Sequence, residues 1–492
     1  MRLWLLIAVL GYECLSILGI SWYLSRKQGT AETFLFANRN LSWPTLAITM
    51  ALTVLGTPHI LGMFEQTWDL GAVTLWFSFA HVILLVLACV ATGRWVRQLN
   101  VSSMPEIIDL LFGAETRLIA CCVLIPLVWG ITTLELQGMG IILALLTGSS
   151  IQHGVLIGAG LGMLYVVLAG LQEIAALNII NAVVKYAGII MATVWLTFRL
   201  PKGWAGVSQY YKDAGQPHML SVFGTSETLL SYGIGVVIAT CVCQGISQQL
   251  LQPAMAARDE DTVMKAMWPA TTINGMFAVF TVAMGLAAKS IPEFHRLGPK
   301  MAAPAMLATY LPPWLVALVL AVFLGSILSA FSMTVLAPAT MFTKDIYINL
   351  FNPQASPATE KRVARIAIVT LILMAASIAT VLPPIVAAIN WLFAWSAPVF
   401  VMIIIGLFWK RSTTAAIATF FAAWVVNIAW SFTSLPARLG LQIFAHSNAY
   451  ATLAVSLIVG FALTAMLEGG PGFFKQTGGC RPVRTVETSP AG

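Results

Sequence analysis

The chain has 492 residues, 59% of them hydrophobic and only 9% charged, with a formal net charge of +7. Soluble domains carry about 25% charged residues, so this composition, with a mean hydropathy of +0.87, excludes a water-soluble globular domain. The positive balance calls for no nucleic acid, because basic residues gather in the cytoplasmic loops of membrane proteins.

Apolar runs of about 20 residues are the unit of such a chain. Thirteen are legible, at 3–24, 42–65, 70–93, 118–147, 151–169, 174–198, 227–251, 266–288, 312–343, 363–381, 384–408, 412–433 and 449–467. The first is too long for a signal-peptide core and lacks a small-residue cleavage site, so it reads as a span. The ninth exceeds one simple crossing, which predicts tilt or extension past the bilayer. With the N-terminus outside, 17 of the 26 basic residues fall in inner segments and 8 in outer ones, and Lys185 lies within a span. That excess predicts an N-out, C-in, multi-pass protein of the plasma (inner) membrane.

The outer segments 199–226 and 289–311 read as caps over the bundle, and the Gly- and Pro-rich tail after 468 as disordered. The seven cysteines show no metal-ligand spacing, and Cys121–Cys122 and Cys241-Val-Cys243 read as helix surface. The sequence holds no Walker loop, zinc spacing, nucleotide-binding glycine fingerprint or Gly-x-Ser-x-Gly elbow. No cofactor and no enzymatic activity are expected. The expected partners are a small-molecule solute and the lipid bilayer, without nucleic acid; the oligomeric state is not readable.

Ionisable groups in the bilayer core are costly, so each one asks for a reason. Glu13 reads as a helix–helix hydrogen bond and His81 as a satisfied structural histidine. In VLGTPHILG, residues 54–62, Gly56, Pro58 and Gly62 leave backbone carbonyls without donors and His59 adds a polar ring. Irregular backbone at membrane depth is tolerated where it lines a cavity or binds a solute. Glu65, Gln66 and Asp69 follow towards the outer face. Glu135 and Gln137, two residues apart, point to opposite sides of their helix. Lys185 falls about eleven residues into its span, near the midplane, where snorkelling is difficult. It reads either as half of a structural pair with a carboxylate or carbonyl, or as a titrating or cation-mimicking group, since desolvation works against a charged amine.

Four stretches resemble the sodium/solute symporter family, which includes bacterial proline and sugar symporters. They are FLFANRNLSWPTLAITMAL (34–52), GMFEQTWDLG (62–71), LYVVLAGLQEIAALNIINA (164–182) and FLGSILSAFSMTVLAPATMFTKDIY (323–347), the last ending in an acidic-aliphatic-Tyr signature at Asp345-Ile346-Tyr347. The resemblance implies an all-α polytopic fold of about thirteen transmembrane helices with a LeuT-type core of two five-helix inverted repeats. It divides the chain into a first helix and cytoplasmic loop (1–41), a first repeat (42–198), an outer loop (199–226), a second repeat (227–408), two further spans (409–467) and a cytoplasmic tail (468–492). The first helix of each repeat is unwound, at VLGTPHILG and at SYGIGVV (231–237), the latter through Gly233 and Gly235.

The family's sodium site, carried over by position, places carbonyls at Leu52, Leu55 and Ser326 and a hydroxyl pair at Ser329 and Ala330. Ala330 has no oxygen to give, and Ser332 stands one turn on as a substitute. Asn178 stands where the family usually has an aspartate. The fifth helix of the first repeat lines that site and carries Lys185, an arrangement similar to sodium-independent LeuT-fold transporters that place a lysine amine there. The resemblance therefore implies alternating-access transport of a small polar organic solute, coupled to H+ or to no ion; free amides of the unwound backbone at a half-helix N-terminus could hold a carboxylate, which puts an organic or amino acid somewhat ahead of a sugar. Gly56, Thr57, His59, Glu65 and Gln66 are the expected solute residues, and Glu135 is the candidate partner of Lys185. Sodium coupling through Ser329, Ser332 and backbone oxygens is the alternative within transport, and solute sensing the alternative outside it.

Overall fold

In a computed structural model the described residues are 3–25, 30–168, 170–381, 385–445 and 447–476. Arg2, Arg26, Lys27, Arg481 and Arg484 of the charge count, Cys480, and the tail beyond 476 lie outside them. Among the described residues, ten helices are long and apolar enough to cross a membrane. One of these, Pro58–Gln98, runs through two of the sequence-predicted spans, and Ile151–Val167 is a shorter apolar helix.

The central element is Pro313–Phe351, with 94% of its most apolar stretch buried. The first helix, Leu3–Ser25, lies at the periphery with 24% buried. Its Trp4 and its Trp22–Tyr23 pair stand exposed at opposite ends, the spacing of an interfacial aromatic belt. The central helix extends beyond 343, because its regular part Pro313–Met341 continues as a wide-turned segment Phe342–Phe351.

The second span is interrupted. Trp43–Thr53 ends, Val54–Thr57 forms a turn, and the chain resumes as Pro58–Gly62 and Met63–Leu70. Proline at the start of the second half is the favourable place for it, since that residue's amide has no partner there anyway.

The second expected break lies elsewhere. Leu229–Ile234 runs in wide turns straight into Gly235–Gln244, and the helix stops at Gly245–Ser247 before Gln248–Met255. Gly233 and Gly235 serve close packing instead: a Cβ there would come within 3.3 Å of Trp76 and 2.9 Å of Ser447. The 384–408 span is likewise two helices, Ile385–Ala394 and Ala397–Phe408. Nor is the whole tail irregular. Gly470–Pro471 pairs antiparallel with Lys410–Arg411, the Arg411 Nε donates to the Pro471 carbonyl at 2.8 Å, and Phe474 packs 5.4 Å from Phe408.

Candidate functional site

The turn at Val54–Thr57 exposes backbone groups that helix geometry no longer satisfies. Three other helices supply the partners. The Thr57 N–H donates to Glu135 Oε2 at 2.7 Å. Asn274 Nδ2 donates to the Ala51 carbonyl at 3.2 Å, and Thr281 Oγ1 to the His59 carbonyl at 3.1 Å. Gly56 is required by the close approach: a Cβ there would run into the Glu135 carboxylate and the Ala330 methyl. Thr57 in turn packs its side chain against Gly138. Glu135 is thus a capping group for the break. The amide that sequence reasoning reserved for a solute carboxylate is already taken by the protein's own.

His59, in the first turn after the break, is fully buried, and its ring nitrogens make no hydrogen bond of good geometry, only a weak contact to the Val54 backbone. Its ring lies 4.4 Å from His81 and 4.8 Å from Phe77. His81 Nδ1 is 2.7 Å from the Phe77 carbonyl, a bond within its own helix.

Lys185 is 16th in the 30-residue helix Gly170–Arg199, about 22 Å from either end at the helical rise of 1.5 Å per residue. Its side chain is 1% exposed and its amine has no hydrogen-bond partner. The ammonium stands over the Phe277 ring at 5.5 Å, within cation–π range. Glu135 and His59 are near enough to feel its charge, yet no carboxylate oxygen comes within the 4.0 Å of an ion pair.

Several of the positions carried over for sodium make hydrogen bonds within the protein. The Leu52 carbonyl accepts the Leu55 N–H at 3.1 Å. Ser326 donates to the Val322 carbonyl at 2.6 Å, Ser332 to the Ser329 carbonyl at 2.7 Å, and Ser329 to Asn178 Oδ1. Ala330 presents its methyl to Gly56. The set carried over thus lacks one hydroxyl, while the serine oxygens that donate their protons keep lone pairs free to accept. The Asn178 Nδ2 remains without a partner.

Glu65 and Gln66 separate. Glu65 accepts the Ile385 N–H at 3.2 Å and lies 3.7 Å from Lys300 Nζ. Gln66 lines a cavity of about 300 Å³ with Asp69, Ser231, Tyr232, Asn390 and Ser447. Gln66 and Asp69 of that cavity and Glu65 of the Lys300 contact share the helix Met63–Leu70.

The opposite end is held by Arg117, which the sequence offered only as an inner basic residue, and by Asp345 of the signature. Arg117 donates from Nη2 to Asp345 Oδ1 at 2.7 Å and from Nη1 to Asp109 Oδ2 at 2.9 Å. Ser103 adds a 2.7 Å bond to the same Asp345 oxygen. The signal available was Asp345 itself, a carboxylate at the end of the most apolar helix.

A helical bundle closed around a broken membrane helix, with unpaired polar groups at the break, is the build of a membrane transporter, not of an enzyme. The model of the sodium:solute symporter family matches residues 34–422, and the chain belongs to that family. It is 23% identical over 438 residues to a sodium/glucose cotransporter of Vibrio parahaemolyticus, covering 81% of this chain and 79% of the relative. It is 19% identical over 461 residues to the osmoregulated proline transporter OpuE of Bacillus subtilis, covering 89% and 90%. The uncharacterized symporter YidK of Escherichia coli K12 is 25% identical over 428 residues, covering 80% and 72%. A solved structure of a Na+-coupled sialic acid symporter, in a substrate-bound outward-open state, superposes with a TM-score of 0.80 over 94% of this chain and 98% of its own, at 16% identity. The fold is therefore the LeuT type.

Proposed function

We propose that this chain moves a small polar organic solute across the plasma membrane by alternating access, with Lys185 acting where relatives hold sodium, so that coupling is to protons or absent. One observation carries the reading. Around the break, Lys185 is buried with no hydrogen-bond partner, and the buried His59 ring has only a weak contact to the Val54 backbone. Buried polar groups are ordinarily paired, and unpaired ones facing an interrupted membrane helix await a ligand. His59 supplies the solute's hydrogen bonds, and Gln66 lines its approach from the outer cavity. With Thr57 capped by Glu135, an anionic or zwitterionic solute finds its counter-charge in Lys185. The two inverted repeats are residues 42–198 and 227–408, thirteen helices cross, and the N-terminus lies outside.

Alternating access follows from the two ends. The Arg117–Asp345–Asp109 cluster closes one, while the cavity at Gln66 marks the other, and transport requires that cluster to open.

The test is counterflow of labelled solute into proteoliposomes, the solute chosen by a thermal-shift library screen, since ligand bound to the folded form raises apparent stability. Counterflow unaffected by sodium, with uptake that follows a pH gradient or no gradient, is expected. Sodium-dependent uptake with no response to pH would overturn the role given to Lys185 and favour coupling through Ser329, Ser332 and backbone oxygens. Binding without counterflow would favour a sensor.

A further inference from the structure

We infer that the chain carries a second buried site for a single positive charge, a proton or a sodium ion, between the first helix and the central helix, with Glu13 as its carboxylate. It goes beyond the role of Lys185 and rests on the reading of the chain as an ion-coupled transporter only for its use, not for its existence.

Glu13 lies on Leu3–Ser25, outside the helices that surround the break. It is 1% exposed and its Oε1 has no hydrogen-bond partner. The helix–helix hydrogen bond expected from the sequence is therefore not made by that oxygen. No basic side chain among the described residues pairs with it.

Oε1 points at the bare backbone of Gly325 on the central helix. A Cβ built there would sit 2.9 Å from Glu13 Oε1 and 3.4 Å from Asn181 Oδ1, with the carbon of the same Asn181 amide as the third neighbour at 3.7 Å. The space in front of the Gly325 backbone is thus too tight for a methyl and is bordered by two oxygens. Asn181 is oriented with Oδ1 towards that space, because its Nδ2 donates to the Gly325 carbonyl at 3.4 Å and Tyr12 Oη donates to its Oδ1 at 3.4 Å. Oxygens converging on one small space suit a hard cation, and a carboxylate buried in a membrane protein without a cation beside it marks an ion or proton path.

The position gives the site its meaning. Asn181 is three residues after Asn178, and Gly325 is four before Ser329, so the two pairs form successive rungs between the same two helices. On one rung Ser329 bonds Asn178, where the family aspartate is missing. On the next, Glu13 restores a carboxylate from outside the core.

The ionisable groups around it are few. Tyr12 is on its own helix, and Tyr165 of Ile151–Val167 interacts with it electrostatically. On Gly170–Arg199, Glu173 has a partner of its own and Lys185 faces Phe277. Pro313–Met341 carries no ionisable side chain. On Ala114–Thr147, Arg117 and Glu135 are engaged with Asp345 and Thr57, leaving the exposed end residue Glu115 and the thiols of Cys121 and Cys122.

The test uses the purified full chain in detergent. Its apparent melting temperature is followed against sodium chloride, with choline chloride at equal ionic strength as control, and separately against pH. A rise with sodium identifies sodium, and a rise with acidification alone identifies the proton. Glu13→Gln, which keeps the shape and removes the charge, is expected to abolish the response. Glu13→Asp should retain part of it, and Gly325→Ala should remove it, since its methyl would push Glu13 Oε1 aside. A folded Glu13→Gln protein that responds as the parent does, or a parent that responds to neither cation, overturns the site. Should Glu13→Gln fail to fold, Gly325→Ala decides alone. Counterflow is measured in parallel: cation binding without counterflow leaves this site standing while the transport reading fails.

Discussion

Glu135 accepts the backbone N–H of Thr57 at 2.7 Å, so a charged side chain 78 residues away completes the hydrogen bonding of the broken helix. Removing it strands a buried donor, which costs about 1–3 kcal/mol. Glu135→Ala is expected to lower the melting temperature of the detergent-purified protein, and Glu135→Gln, whose amide oxygen still accepts, to lower it less. Equal losses would show that the bond does not hold the break.

Glu135 and Lys185 are coupled through space without a direct ion pair. Neutralising Lys185 alone, as Lys185→Met, leaves Glu135 without that charge, and neutralising both removes the imbalance. A double-mutant cycle on thermal stability with Glu135→Gln should show an interaction of about 0.5–3 kcal/mol. Transport by Lys185→Met is expected to lose its dependence on pH across the neutral range. A pH profile that matches the parent's would remove Lys185 from coupling.

The buried His59 ring has only a weak contact to the Val54 backbone beside the break. His59→Ala should insert and fold normally yet bind solute about tenfold more weakly or worse, the loss expected for one good hydrogen bond of about 1.4 kcal/mol. Isothermal titration with the screened solute checks it, and unchanged affinity places the solute elsewhere.

Arg117 and Asp345 form the closure of the far end, with Asp345 fully buried and Arg117 nearly so. Arg117→Ala leaves a buried carboxylate facing only Ser103, and breaking such a pair costs about 3–5 kcal/mol. The expected outcome is a protein of lower stability that favours the conformation open at that end. A cysteine placed near Ser103 should then be labelled faster by a membrane-impermeant thiol reagent.

Restoring the family oxygens reverses the argument. Ala330→Ser together with Asn178→Asp supplies a hydroxyl and a negative charge beside Ser329. The double variant is expected to gain a sodium-dependent rise in melting temperature at that rung, measured in a Glu13→Gln background. No gain would mean that the missing hydroxyl and carboxylate are not what separates this rung from a sodium site.

The sequence reading succeeded where one local stretch holds the whole signal. Glycine, proline and glycine within seven residues announce an interrupted helix, and a lysine in an apolar run announces itself. It failed where identical residues do different work. Gly233 and Gly235 look like unwinding glycines but fit against Trp76 and Ser447, while the real interruption at Gly245–Ser247 has no proline to mark it. It also could not see partners that are distant in the chain. Asn274, Thr281 and Glu135 meet the break only through folding, and Arg117 counted as a topology marker before Asp345 appeared beside it.

Because the break is shaped by side chains borrowed from three other helices, it is not a module. A chimera that exchanged the broken helix alone between relatives would import a turn whose carbonyls and amide no longer meet their intended partners. The smallest exchangeable unit is the turn together with residues 135, 274 and 281. Sequence comparison among relatives should therefore find these four places changing in step, even though nothing along the chain ties them together.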